Sequence, residues 1–264
     1  MKAPAEKSDT VDLFGFRVSG RGVAGDVGFA STALKAGSRP FVVACANPHS
    51  LVVASRDGEF RDALQDADLL LPDGSGLILA AKILKLPLTQ KVAGTDFFLN
   101  FCRYAACERR EIRFFFLGAT PFVLERIIAR LHVDFPSITV AGAYSPPFKD
   151  VFTADDNASM IEEINRSEAD VLWVGMTAPK QEKWIWQNRD ALNVRIAGAI
   201  GAVFDFYAGT KKRSSQFWLN HGLEWLPRLL KEPRRLWARN FKSTPIFLLW
   251  VAKERLRQIL LRVR

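Results

Sequence analysis

The amino-acid sequence predicts an α/β protein with a mostly parallel sheet flanked by helices, followed by a basic helical appendage at the C-terminal end. Three observations predict this class. Short apolar runs alternate with helix-length segments, as in sheets built from right-handed crossovers. Most of these runs are continuously apolar, which is typical of strands buried on both faces. The segment from Tyr207 onward carries 14 Lys/Arg against three Asp/Glu, in a chain of net charge +9.

The individual elements follow from these patterns in chain order. Seven apolar runs predict strands: "LFGFRV" (13–18), "FVVACA" (41–46), "DLLLP" (68–72), "IRFFFLG" (112–118), "ITVAGAY" (138–144), "ADVLWVG" (169–175) and "VRIAGAI" (194–200). Six intervening segments predict helices: 49–65, 75–86, 95–109, 120–133, 155–167 and 179–191. The chain therefore divides into an α/β core, 1–206, and a C-terminal helical appendage, 207–264.

The end of the appendage has the pattern of a basic amphipathic helix. Leu249, Leu256, Leu260 and Val263 fall on one helical face, and most of the nearby Lys and Arg fall elsewhere. This pattern predicts an element that lies on an anionic membrane surface. The alternative is a helix that packs on its own domain. Because Leu, Trp and Phe interrupt the basic residues, the segment suits lipid better than a nucleic-acid duplex, and we expect no nucleic-acid partner.

Polar and small residues collect where the predicted strands end. In parallel sheets the carboxyl ends of the strands share one edge, and ligands bind in the crevice outside it. The residues at this edge are Asn47, Asp73, Gly118, Tyr144, Lys180, Gln181 and Asp205. Gly74, next to Asp73, would let a ligand approach the backbone. The sequence therefore predicts a substrate site along this edge.

A glycine-rich segment near the N-terminal end suggests the main alternative function. The segment "GRGVAG" (20–25) matches the glycine fingerprint of dinucleotide-binding proteins and follows a predicted strand. That fingerprint also needs an acidic residue at the end of the next strand, but the strand at 41–46 is followed by Asn47. A glycine-rich turn is therefore favoured, and a Rossmann-type oxidoreductase with a nucleotide cofactor is the alternative.

No cofactor or metal ion is predicted. The "DAD" segment (66–68) resembles the metal motif of many glycosyltransferases, but it precedes its strand and so belongs to the opposite edge of the sheet. The three histidines have no partners at metal-ligand spacing. The three cysteines also lack metal-ligand spacing, and their odd, small number favours a reduced, cytosolic chain without disulfides.

Several motifs together resemble the WecG/TagA/CpsF family of glycosyltransferases over essentially the full chain. The segments that carry the resemblance are "ANP" (46–48), "LLLPDGSGLILAAKIL" (69–84), "KVAGTDFF" (91–98), "FFLGA" (115–119), "VGMTAPKQEKWI" (174–185), "GAVFDFYAGTKKRS" (201–214) and "GLEWLPRLLKEPRRLWAR" (222–239). The order and combination of these segments are much more specific than any one of them.

The resemblance implies a Rossmann-like core and an inverting, metal-independent hexosyltransferase. Such an enzyme moves a sugar from a UDP-sugar to a saccharide linked to a polyprenyl diphosphate. It would act as a peripheral protein at the cytoplasmic face of the inner membrane, in the synthesis of exopolysaccharide or cell-envelope polysaccharide. A homo-oligomer is left open.

The resemblance also implies roles for individual core residues. Asp73 corresponds to the proposed catalytic base, which takes the proton of the acceptor hydroxyl. Asn47 corresponds to a residue that contacts donor or acceptor, and Gln181 and Asp205 correspond to polar residues of the cleft. Lys91 stands where the family commonly has Arg, so it keeps the positive charge without bidentate contacts.

The implied site also includes further basic residues and one position that differs from the usual family pattern. The residues expected to bind the diphosphate or the lipid-linked acceptor are Arg213, Arg228, Arg234, Arg235 and Arg239. Cys45 stands two residues before Asn47, where the family often has Thr. Since a thiol is a weak hydrogen-bond donor, the expected donor class stays open among hexuronate, hexose and N-acetylmannosamine-type sugars.

Overall fold

The predicted α/β architecture is confirmed by a computed structural model, which describes residues 9–35, 39–108, 111–211 and 242–263. The described strands are β1 Thr10–Leu13, β2 Phe16–Ser19, β3 Phe41–Ala46, β4 Leu69–Pro72, β5 Arg113–Gly118, β6 Thr139–Tyr144, β7 Val171–Gly175 and β8 Ile196–Ala199. They form one sheet in the order β1-β2-β4-β3-β8-β7-β5-β6. The pairing of β1 with β2 is antiparallel, and the other pairings are parallel.

Helices cover both faces of this sheet. The described α-helices are α1 Gly22–Thr32, α2 Pro48–Ala54, α3 Gly58–Gln65, α4 Ser75–Leu84, α5 Gly94–Cys107, α6 Pro121–Asp134, α7 Ala154–Arg166, α8 Lys180–Asn188, α9 Val203–Tyr207 and α10 Thr244–Val263. A short 3₁₀-helix, Arg189–Ala191, follows α8. Within the described residues no helix is both long and apolar enough to cross a bilayer.

Three of the predicted elements were wrong in detail. The run 13–18 is a β-hairpin rather than one strand, because Phe14 and Gly15 form its turn with φ values of 58° and 83°, the backbone that tight hairpins need. The helix predicted at 49–65 is divided into α2 and α3, since the Asp57 side chain accepts a hydrogen bond from the Phe60 N–H and starts a new helix. The glycine-rich segment forms the beginning of α1 instead of a simple turn.

The sheet is buried between two apolar layers. Side chains of β3 alternate between the layers, so Val43 packs with α1, α5 and α9 while Ala44 packs with α2 and α4. On the first side, Trp173 is fully buried and makes edge-to-face contacts with Phe98 and Phe101 at 5.3 and 5.5 Å between ring centroids. This aromatic packing fixes β7 against α5 and so holds the middle of the sheet rigid.

The two carboxylates of the "DAD" segment have a structural role. Asp66 and Asp68 both bind the buried guanidinium of Arg189, and Asp68 also accepts a hydrogen bond from the Val42 N–H at 2.8 Å. The Nε atom of Arg189 donates to the Pro40 carbonyl at 2.9 Å. This cluster lies at the amino ends of β3 and β4, away from the predicted site. No cluster of three His, Cys, Asp or Glu suited to a metal ion occurs among the residues that the structure describes.

Helix α10 packs on the core, which was the alternative expectation for this segment. Phe247 and Val251 are buried against α2 and α4, and Phe247 meets Phe14 edge-to-face at 5.6 Å. Leu256 and Leu260, which the sequence placed on one apolar face, remain exposed. The helix therefore docks through one face and presents a second apolar face outward.

Candidate active site

The strand order creates a crevice between the carboxyl ends of β3 and β8. The helix that follows β3 packs on one face of the sheet, through Leu51, and the helix that follows β8 packs on the other face, through Phe204. Where the chains that leave two adjacent strands of an α/β sheet go to opposite faces, a crevice suited to a ligand opens between the strand ends. Asn47 follows β3, and Gln181 packs onto Gly201, which follows β8.

Asn47 is fixed at the β3 side by the start of α2. Its Oδ1 atom accepts a hydrogen bond from the Ser50 N–H at 3.0 Å, and the Ser50 hydroxyl accepts one from the Asn47 N–H at 2.8 Å. This reciprocal arrangement is a capping box. Because capping uses Oδ1, the amide group of Asn47 is the part of its side chain left to serve a ligand.

Asp73 is positioned beside Asn47 by backbone contacts. Its N–H donates to the Ala46 carbonyl at 2.8 Å, which ties the end of β4 to the end of β3. Gly74 has a φ of +130°, and a Cβ built there would lie 3.6 Å from the Asn47 Cβ. Asp73 is only partly buried. Asp73 therefore lies at the carboxyl end of β4 beside Asn47, and its role stays a prediction.

Lys91 lies near the same strand end. The next residue, Val92, donates its N–H to the Pro72 carbonyl at 3.0 Å, which holds the segment before α5 against the end of β4. Lys91 is partly buried. The Lys91 backbone therefore lies beside the end of β4, the strand that Asp73 follows in the chain.

The β8 side of the crevice is formed by Gln181 and Gly201. Gln181 is 4% exposed, and a Cβ built on Gly201 would lie 3.3 Å from its Nε2 atom. Gly201 has a φ of +51°, which glycine adopts most readily. Gln181 is thus packed directly onto the chain that leaves β8.

Comparison with known proteins identifies the family of this chain. Residues 11–260 match the family described as the glycosyl transferase WecG/TagA/CpsF family. The chain belongs to the WecG/TagA/CpsF family. It is therefore a glycosyltransferase, and the resemblance predicted from its motifs is confirmed.

Three relatives illustrate the similarity, and all carry the name N-acetylglucosaminyldiphosphoundecaprenol N-acetyl-beta-D-mannosaminyltransferase. A protein of Bacillus spizizenii is 32% identical over 197 residues, which are 75% of this chain and 73% of the relative. A protein of Bacillus subtilis (strain 168) is 29% identical over 213 residues, 81% of this chain and 79% of the relative. A protein of Staphylococcus aureus (strain MW2) is 26% identical over 211 residues, 80% of this chain and 79% of the relative.

Cys45 lies near the carboxyl end of β3 in this WecG/TagA/CpsF transferase, under the start of α5. Its Sγ atom would lie 3.3 Å from a Cβ built on Gly94, so the start of α5 closes over it. Burial, and then the negative charges of Asp73 and Glu182, hold the pKa of the Cys45 thiol well above its usual range. Cys45 therefore stays a neutral thiol.

Asp205 lies on α9, the helix that follows the carboxyl end of β8. Its carboxylate pairs with Lys211 at 3.0 Å and accepts a hydrogen bond from the Thr210 hydroxyl at 3.2 Å. Both ionic partners are partly exposed. Asp205 thus holds Thr210 and Lys211, the residues after α9, near the carboxyl edge of the sheet.

Three other predicted site residues are not brought to Asp73. Tyr144 ends β6, five strands away from β4, which at strand spacing is about 24 Å. Gly118 packs against its neighbouring strand, because a Cβ built there would lie 2.8 Å from the Gly175 carbonyl. Lys180 donates to the Lys149 carbonyl and lies 3.7 Å from the centroid of the Phe152 ring. It therefore binds the loop after β6 instead of pointing to the crevice.

Two further observations concern residues that sequence reasoning placed differently or missed. The predicted appendage arginines, Arg213, Arg228, Arg234, Arg235 and Arg239, lie outside the described residues. Glu182 was not predicted as a site residue, yet it is buried beside Gln181, and burial raises the pKa of its carboxyl to about 7. Its position three residues before the buried Ile185, on the inner face of α8, is the signal that could have found it.

Proposed function

We propose that this protein transfers a sugar from a UDP-sugar to a saccharide linked to a polyprenyl diphosphate, with inversion at the anomeric carbon. The observation that carries the proposal is the position of Asp73 at the carboxyl end of β4, tied to β3 beside Asn47. The names of the relatives, which mention a diphosphoundecaprenol acceptor, support the acceptor class. The process served is synthesis of exopolysaccharide or another cell-envelope polysaccharide.

In the proposed reaction, Asp73 is the general base. An acceptor hydroxyl gives its proton to the Asp73 carboxylate while its oxygen attacks the anomeric carbon of the donor. The bond between that carbon and the β-phosphate oxygen breaks, and UDP leaves with the electron pair. Attack from the face opposite UDP inverts the anomeric configuration.

The leaving UDP needs positive charge, which we assign to Lys91 and to the arginines of the appendage. Fixed cations near a departing diphosphate stabilise the charge that develops in the transition state. No metal ion is needed in this scheme, and none is proposed. Lys211 and Ser243, which stand at either side of the segment 212–241, are held at the carboxyl edge by Asp205 and His49.

The basic chain end supports association with an anionic membrane surface, where a polyprenyl-linked acceptor is located. The exposed leucines of α10 and the flanking Arg255 and Arg257 have the composition of an interfacial helix. The donor class stays among hexuronate, hexose and N-acetylmannosamine-type sugars, since Cys45 stands near the end of β3, where a hydroxyl is common in the family.

The oxidoreductase alternative has less support. The glycine-rich segment does connect β2 to α1, as a dinucleotide site requires, but the strand that follows ends at Asn47 without an acidic residue. Family membership also favours sugar transfer.

The test is the variant Asp73→Asn, with Asp134→Asn as a matched control on α6. Asp73→Asn should bind a UDP-sugar with near wild-type affinity and lose about 10²–10⁴-fold in kcat, the usual contribution of a general base. Transfer to a short-chain polyprenyl diphosphate acceptor is measured with radiolabelled donor. Retention of wild-type kcat by Asp73→Asn would refute the assignment of the base.

A further inference from the structure

Gln181 and Glu182 form a buried pair that the proposed chemistry leaves unused. The two side chains are 4% and 5% exposed, and the Nε2 atom of Gln181 donates to Glu182 Oε1 at 2.9 Å. Gln181 Oε1 and Glu182 Oε2 are also buried, and neither has a hydrogen-bond partner among the described residues. Two buried acceptor atoms without a hydrogen-bond donor lower the stability of the folded protein.

One proton on Glu182 Oε2 would give both unpaired oxygen atoms a hydrogen-bond partner. A neutral carboxyl group can donate from Oε2 as well as accept at Oε1. Donation from Glu182 Oε2 to Gln181 Oε1 would close a ring of two hydrogen bonds with the existing contact. The carboxamide of Gln181 would then be held in one orientation, with its second N–H left for the crevice beside Gly201.

We propose that Glu182 is a positioning residue that works as a neutral acid, fixing the Gln181 carboxamide so that its free N–H meets the bound UDP-sugar. This inference rests on the proposed function, because it assigns a task to Gln181 in donor binding. A lone N–H donor suits an oxygen acceptor of the donor substrate, either on the diphosphate or on the sugar.

The charges around Glu182 explain why a proton should be retained. The Cys45 thiol, at the end of β3, is close enough to Glu182 for the two groups to interact electrostatically, and Asp73 acts on the same thiol. On its own helix, Lys183 is already paired with Asp57 and Glu59 of α3 at 2.9 and 3.1 Å, and Lys180 is bound to the Lys149 carbonyl. Arg189, after α8, is engaged by Asp66 and Asp68. Burial accordingly raises the pKa of the Glu182 carboxyl to about 7.

Loss of this proton would weaken donor binding in two ways. An ionised Glu182 adds a negative charge to a crevice that must accept an anionic diphosphate, and it releases the orientation of Gln181. Binding of a UDP-sugar should therefore weaken as the pH rises above about 7.

The experiment compares the wild type with Glu182→Gln and with Glu59→Gln, a matched loss of one carboxylate on the neighbouring α3. The first measurement is thermal unfolding between pH 4 and 8. Because the pKa of Glu182 is raised in the folded state, the stabilisation is present below about pH 4.5 and is lost as the pH rises through about 7. Wild type and Glu59→Gln should show this loss, and Glu182→Gln should show a smaller loss, because only the contribution of other buried acids such as Asp26 remains. Superimposable pH curves for wild type and Glu182→Gln would overturn the proposal independently of any transfer activity.

The second measurement is the affinity for UDP-glucose by calorimetry at pH 6 and pH 8. The neutral fraction of a group with a pKa of about 7 falls about tenfold over this interval. Wild-type and Glu59→Gln affinities should therefore fall about tenfold, and the Glu182→Gln affinity less than threefold, since an amide keeps the ring and cannot ionise. An equal fall in all three proteins, or a flat wild-type profile, overturns the positioning role. Should Glu182→Gln fail to fold, the wild-type profile alone decides. Absence of UDP-glucose binding at both pH values in every protein, with the expected unfolding curves, would instead count against the proposed donor and remove the positioning role with it.

Discussion

The Nδ1 atom of His49 lies 2.8 Å from the hydroxyl oxygen of Ser243, which ties the first turn of α2 to the residues just before α10. His49 comes two residues after Asn47, so this contact lies at the carboxyl edge of the sheet. Ser243 is itself buried. The C-terminal part of the chain therefore returns to the core beside the candidate active site.

We expect Ser243→Ala to affect both stability and acceptor use. Loss of one hydrogen bond of this kind lowers the free energy of unfolding by about 1 kcal/mol. Because the start of α10 is then less firmly held at the crevice, KM for the polyprenyl-linked acceptor should rise severalfold while KM for the donor changes little. Chemical denaturation and steady-state kinetics measure the two effects.

Ser137→Ala is the matched control for this prediction. The Ser137 hydroxyl donates to the Ala106 carbonyl at 3.2 Å, at the opposite edge of the sheet. The Ser137→Ala variant therefore also loses one serine hydrogen bond, but at a position away from the crevice. Equal acceptor KM values for the two variants would contradict a link between the His49 contact and acceptor binding.

A second prediction concerns Gly201 and Gln181. In Gly201→Ala the new methyl group lies 3.3 Å from Gln181 Nε2, and alanine must adopt a φ of +51°. We expect a loss of roughly 1–2 kcal/mol in the free energy of unfolding, together with a several-fold increase in the donor KM as Gln181 is displaced.

Gly28→Ala separates this effect from the general effect of adding a methyl group to glycine. Gly28 lies in α1, and no atom lies within 4 Å of a Cβ built there. Alanine in this helix should raise the free energy of unfolding by about 0.5–1 kcal/mol without changing the donor KM. A Gly201→Ala enzyme with unchanged donor KM would show that Gln181 is not part of the donor site.

The third prediction concerns the buried carboxyl of Asp26 on α1. It accepts a hydrogen bond from the Ser19 hydroxyl, and its Oδ2 atom has no partner among the described residues. Burial raises the pKa of Asp26 from 3.8 to about 6, against the lowering effect of Ser19 and Arg21. Since the raised value belongs to the folded state, the stabilisation is complete below about pH 3.8 and is lost as the pH rises through about 6.

Asp26→Asn should remove this part of the pH dependence. Relative to the variant, the wild type should lose roughly 2–3 kcal/mol of unfolding free energy between pH 4 and pH 7. Urea unfolding at several pH values measures the difference, with the exposed Asp62→Asn on α3 as the control for one charge. Parallel curves for the wild type and Asp26→Asn would mean that folding does not raise the pKa of Asp26.

Local sequence patterns predicted most of the sheet. Continuous apolar runs such as 41–46 correspond directly to strands such as β3, since burial on both faces requires that pattern. The hairpin at 13–18 was not predicted, because Phe14 is apolar and conceals a turn that depends on a positive φ at Phe14 and Gly15. The division of 49–65 depended on one capping side chain, that of Asp57, within an otherwise helical pattern.

The candidate site was predicted only in part. Asp73 and Asn47 were placed together because strand ends meet at one edge whatever the strand order. Tyr144 and Lys180 follow the same rule but lie far from Asp73 or point elsewhere, since the rule gives the edge and not the position along it. Glu182 was overlooked because a glutamate in a charged helix start looks like a solvated residue until its neighbours are known.

The sequence by itself determined the fold class, the family and the identity of the candidate base, since these depend on apolar periodicity and on motifs that are local in the chain. The strand order, the crevice between β3 and β8, and the pairing of Gln181 with Glu182 were decided only by the tertiary structure. The physical reason is that spatial neighbourhood, burial and the resulting proton affinity of a carboxyl group arise from segments far apart in the chain, and no local pattern specifies them.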